Sequence, residues 1–241
     1  MITVGELKKF KLNPNGGSID LGPEYKETKV DIPQEAHTLH NQARTAGGRG
    51  EYDIAIDCFF KVHEIAPLWP YPVYDLAYTY LLKQDYENAL KYYELTNQLA
   101  PHGFFTSKTA ADILRKEKEG IYPEGLYTAY LSGIENEPSN QKKFELIQKL
   151  LIKAPNFALG YLTFANLVGD EQQKLELIGY GLENDPDTDT RTSLLIAKSI
   201  VLDKMRQHSE AVEILGDVIF NIETSKNLKV MAYITLASIV V

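Results

Sequence analysis

From residue 34 onward, apolar side chains recur every three or four positions, with polar residues filling the intervals. That spacing is the period of an amphipathic α-helix and not the alternation of a strand. Two stretches share more than the period. EYDIAIDCFFKVHEIAP (51–67) and DYENALKYYELTNQLAP (85–101) carry the same residue types in the same order. Tyr52, Ala55, Phe59 and Pro67 become Tyr86, Ala89, Tyr93 and Pro101, each 34 residues later. The first three of each set share one helical face, and the proline follows where a helix must stop.

A second amphipathic stretch precedes each of these. In YPVYDLAYTYLLKQ the apolar face is Val73, Leu76, Ala77 and Tyr80; in QEAHTLHNQARTAGG it is Leu39, Ala43 and Ala46. Gly47, Gly48 and Gly50 supply a turn between the first pair. The unit is helix, tight turn, helix, proline, with Ala43, Ala55, Ala77 and Ala89 small enough for close helix contact. A 34-residue unit with this order resembles the tetratricopeptide repeat (TPR) family over residues 36–101. The family's early tryptophan is replaced here by Leu39 and Val73, and its first-helix glycine by Ala43 and Ala77.

Beyond residue 101 the repeat decays while the helical period persists. The pattern predicts helices at 104–119, 123–136, 140–153, 157–168, 171–184, 189–204, 208–223 and 227–240. Gly120, Pro123, Pro138, Pro155, Gly169, Pro186 and the Ser225–Asn227 stretch punctuate them. Residues 157–184 keep the repeat's order through Tyr161, Phe164, Ala165, Ile178 and Gly181, followed by Pro186; residues 189–223 do so through Ala197, Ala211 and Leu215. The pairing does not close between 101 and 155, where one helix is left over. Residues 1–33 are rich in turn signals, with Asn15-Gly16 a weak hairpin signal. Ile2, Val4, Leu7, Phe10 and Leu12 leave two readings open, a mobile arm or a cap on the first helix. The expected architecture is all-α, a TPR-like superhelical solenoid of antiparallel helix pairs with an irregular N-terminal arm. Its expected divisions are 1–33 (the arm), 34–101 (two well-matched units) and 102–241 (degenerate repeats).

Composition narrows the function. A net charge of −8 argues against non-specific binding to nucleic acid or anionic membranes. No apolar run reaches membrane-spanning length and the N-terminus lacks a secretory apolar stretch, so a cytoplasmic location is expected. Cys58 is the single cysteine; beside Phe59 and Phe60 it reads as a buried structural thiol. His37 and His40 lie three apart but lack companions for a metal site, and Gly47-Gly48-Arg49-Gly50 lacks the lysine and hydroxyl of a phosphate loop. No catalytic residues, cofactor or metal are expected.

The chain's 15 tyrosines bear on binding. At about 100° per residue, the face opposite Val73 and Leu76 carries Tyr71, Tyr74, Tyr78 and Leu82, where a surface helix normally places polar groups. The family resemblance implies that this side lines a concave groove for partner segments. The equivalent positions are His37, His40 and Arg44 in the preceding repeat, and Phe105, Lys108 and Asp112 in the following helix. The tyrosines either line such a groove or pack on a neighbouring element. Some TPR proteins clamp a C-terminal carboxylate; the matching positions here are His40, Arg44, Asp75, Phe105 and Thr109, and Asp75 would repel that ligand. The leading expectation is a protein–protein interaction scaffold. The alternative is a sensory or regulatory repeat protein that binds a short peptide or small ligand and changes conformation. Finally, residues 228–241 hold one charge, with Val230, Met231, Tyr233, Ile234, Leu236, Ile239 and Val240 around the helix. Self-association or partner binding is expected there, unless the chain is part of a longer solenoid.

Overall fold

A computed structural model describes residues 31–240, and every regular element in it is a helix. The arm residues 1–30, including the apolar positions from Ile2 to Leu12, lie outside the described residues. The helices are α1 (Gln34–Gly48), α2 (Tyr52–Ile65), α3 (Pro70–Leu82), α4 (Tyr86–Leu99), α5 (Ser107–Lys118) and α6 (Leu126–Tyr130), which continues into a π-type turn (Leu131–Glu135). After them come α7 (Asn140–Lys153), α8 (Ala158–Leu167), α9 (Glu171–Glu183), α10 (Thr188–Lys204), α11 (His208–Phe220) and α12 (Lys226–Val240). Each expected helix is present, and the strongest packing joins α1 to α2, α3 to α4, α8 to α9 and α10 to α11 as antiparallel pairs. The described residues divide into two compact units, 31–128 and 129–240.

Two backbone signatures recur at the helix ends. First helices close with a residue near α geometry followed by one in the left-handed region: Arg49 then Gly50, Lys83 then Gln84, Met205 then Arg206. The next helix begins two residues later in each case. Second helices leave through alanine with almost identical angles, φ −133° and ψ 70° at Ala66, −132° and 70° at Ala100, −132° and 73° at Ala154. A proline follows each alanine and forbids helix continuation.

These signatures assign the leftover helix. α5 ends as a first helix does, with Glu119 near α geometry and Gly120 at φ 72°. Tyr122 then stands where Tyr52 and Tyr86 open their helices. A second helix fails to form because Pro123 follows, Gly125 takes φ 78°, and Ile121 replaces the capping Asp85. Glu117 substitutes for the missing cap. Its carboxylate accepts backbone N–H donors from Gly125 at 2.7 Å and Tyr127 at 2.8 Å, holding the start of α6. Burial raises the pKa of Glu117 above the usual carboxylate value, against the opposing pull of those two donors. α7, with the alanine–proline exit, is the second helix of a pair whose first member is the short α6 and its π-type turn.

The alanines expected at close contacts, Ala43, Ala55, Ala77 and Ala89, are fully buried. Cys58 is half-buried rather than buried, because Ala55, Ile56, Phe59 and Val62 occupy the inward face of α2. In the second unit, side chains starting at Asp85-like positions cap their helices: Ser139 caps α7, Asp170 caps α9 and Asp187 caps α10. The apolar cluster of α10, α11 and α12 comprises Ile196, Leu215, Val218, Ile219, Leu228, Met231 and Ala232.

Candidate interaction surface

The aromatic face of α3 lies within the first unit and is built from three helices. Pro70 and Pro72 start α3 without needing backbone donors, which brings Tyr71 into its first turn beside Trp69. The Tyr71 ring meets Phe104 edge-on at 4.7 Å and Phe105 at 5.5 Å. One turn on, the Tyr74 ring meets Tyr93 at 5.6 Å, Phe104 at 5.8 Å and Phe105 at 5.0 Å. The Tyr74 hydroxyl shares a 2.9 Å hydrogen bond with the Thr106 hydroxyl, and burial pushes its pKa up to about 12, partly offset by that bond. Phe105 adopts φ 47°, a conformation that costs a non-glycine residue about 1–2 kcal/mol. The ring packing on Tyr71, Tyr74 and Phe104 compensates.

Tyr71, Tyr74 and Phe105 are therefore half-buried against one another, while Tyr78 and Leu82, each 38% exposed, continue the same face toward solvent. Of the two sequence readings, packing on a neighbouring element describes Tyr71 and Tyr74, whose rings meet the α4–α5 connection.

Beside the rings stands a polar group. His40 is only 5% exposed, and its Nε2 lies 2.8 Å from Asp75 Oδ2. The exposed Arg44 places Nε 3.6 Å from the same oxygen. His37 and His40 both set their rings edge-on to Trp69 at 4.8 Å, so the pair serves to pack the indole. Among the described residues, no group of three or more His, Cys, Asp or Glu side chains is arranged to hold a metal ion. Lys108 is half-buried on the first turn of α5. Asp112 ion-pairs with Lys116 at 2.9 Å.

Phe104, Thr106, Trp69 and Tyr93 complete the surface, and none of them was among the groove positions expected from the sequence, although Tyr93 was read there as a repeat position. The doublet Phe104-Phe105 after Pro101-His102-Gly103 was the available signal, since two adjacent aromatics in a loop need a partner surface.

No protein-family model and no curated protein matches the chain. Among solved structures, the TPR2AB domain of yeast Sti1 in its pHSP90 complex is 18% identical, with 85% of this chain and 86% of that one covered and a TM-score of 0.38. MamA from residue 41 onward, from Desulfovibrio magneticus RS-1, is 13% identical over 78% of this chain and 94% of its own, with a TM-score of 0.36. YrrB, a TPR protein with an unusual peptide-binding site, is 14% identical over 86% and 92%, also at 0.36. At such scores these likenesses decide nothing about the site. The TPR-like character of the helix pairs rests on their period, turns and packing. No described helix is long and apolar enough to cross a membrane.

Proposed function

We propose that the first unit binds a segment of a partner protein across the face of α1, α3 and the start of α5, without catalysis. The observation that carries this reading is the continuous aromatic row in which Tyr71, Tyr74 and Phe105 are locked in place while Tyr78 and Leu82 stay exposed. Rigid aromatic area flanked by charge is the chemistry of a peptide anchor site. Asp75 is already engaged by His40 and Arg44, and the exposed Arg44 and half-buried Lys108 supply positive charge beside the row. The fitting ligand carries one or two large apolar side chains for Tyr78 and Leu82 and an acidic residue toward Arg44 or Lys108. Such a ligand is held by contact area and a few hydrogen bonds.

The test is selection of displayed peptides on the intact chain, followed by titration of the selected peptides against Tyr78→Ala, Leu82→Ala and Arg44→Glu. Both apolar substitutions should weaken binding about tenfold or more, and Arg44→Glu should reverse the preference for acidic flanks. Selected peptides that bind all three variants as tightly as the parent would place the site elsewhere.

A further inference from the structure

The outer face of α12 is a second apolar surface, independent of the one just described. Its inner face is satisfied by the α10–α11 cluster. Its outer face exposes Val230, Tyr233 at 55% and Ile234 at 65%. Ala237 continues the row, giving the spacing 230, 233, 234 and 237 that one helix presents to another. Phe220 at 84%, the last residue of α11, and Ile222 at 82%, in the connection to α12, are further exposed apolar residues. From Val230 to the last residue there is no Asp, Glu, Lys, Arg or His, although the chain carries a net charge of −8.

We infer that this face pairs with the same face of a second copy of the chain, α12 against α12 in antiparallel orientation about a two-fold axis. Two observations select that occupant. First, the row is self-complementary when reversed. With the axis between Tyr233 and Ile234, each tyrosine meets the other copy's Ile234, and each Val230 meets the small Ala237. Large faces large at the centre and medium faces small at the ends, which lets two identical helices pack without a gap. A parallel pairing instead sets Tyr233 against Tyr233 and Ala237 against Ala237. Second, like-charged copies repel wherever their acidic surfaces approach, and screening leaves that repulsion effective over about 10 Å at ordinary salt. The uncharged strip from Val230 onward is a place where two copies meet without bringing like charges together.

The experiment measures the mass of the intact chain in solution across micromolar concentrations by light scattering and sedimentation equilibrium. The parent chain should form a dimer. Ile234→Glu, on an exposed position that leaves the inner face intact, should raise the dissociation constant roughly a hundredfold, because a carboxylate is then buried against the other copy's Tyr233 on each side of the axis. Leu68→Glu, an equally exposed apolar position in the first unit, should leave it unchanged. Orientation is read from oxidative cross-linking in a Cys58→Ser background. Mixtures of Val230→Cys and Ala237→Cys chains should cross-link to each other in preference to themselves. A monomeric parent chain, a dimer indifferent to Ile234→Glu, or preferential Val230→Cys self-cross-linking would each overturn the inference.

Discussion

His40 and Arg44 reach Asp75 from α1 and thereby fix the position of α3 relative to it. Asp75→Ala leaves the buried His40 nitrogen without its acceptor, which should cost about 1–3 kcal/mol in urea denaturation. Tyr78→Ala, at a position 38% exposed on the same helix, should cost about 1 kcal/mol in the same measurement, so its effect on binding is read beside its own stability. Glu117 makes a prediction about pH. Burial raises its folded-state pKa above the ordinary 4.5, so the folded chain holds this proton to higher pH than the unfolded chain does. The stability that follows is fully present below the unfolded value and is lost as pH rises through the folded one. The stability difference between the parent and Glu117→Gln should therefore shrink as pH rises from 4.5 toward neutrality. The variant should still be weaker at neutral pH, because an amide offers one acceptor oxygen to the two N–H donors of Gly125 and Tyr127.

At the scale of single helices, α9 contains its own control experiment. A Cβ added at Gly181 comes within 2.9 Å of a methyl of the fully buried Leu194, whereas one added at Gly179 meets nothing within 4 Å. Gly181→Ala should destabilise by about 1–3 kcal/mol through overpacking, and Gly179→Ala should stabilise by roughly 0.5–1 kcal/mol by favouring the helix. Ala89→Leu, at a fully buried contact between α3 and α4, belongs with Gly181→Ala in sign and size. Helices were legible in the sequence because a period of three to four and a proline stop are local signals. The pairing between 101 and 155 was not, because it depends on backbone angles at Gly120 and Gly125 that many residue patterns allow. The aromatic face was half legible. Helical geometry grouped Tyr71, Tyr74 and Tyr78, but the burial of His40 and the arrival of Phe104 and Phe105 depend on how the α4–α5 connection folds back, which no local period encodes.

For the molecule as a whole, the two surfaces multiply each other's effect. A two-fold dimer through α12, as inferred above, would carry two copies of the proposed Tyr78–Leu82 face, and a partner displayed at high density on flexible tethers tests whether both engage at once. Binding to a densely immobilised peptide should then weaken by roughly tenfold or more in Ile234→Glu, while binding of the same peptide free in solution stays unchanged. Surface plasmon resonance at high and low peptide density separates the two cases; equal loss in both formats would mean that the substitution damages the peptide site itself.

The shared geometry of the alanine–proline exits has a use in protein engineering. Ala66 and Ala100 leave their helices with φ and ψ within a degree of each other, and the sequence between Pro67 and Pro101 is one complete period. Residues 68–101 thus form a cassette whose two ends share the same backbone geometry. A tandem copy inserted after Pro101 would find, at its start, the same alanine–proline exit it follows in the native chain, and would lengthen the aromatic row by another set of tyrosines.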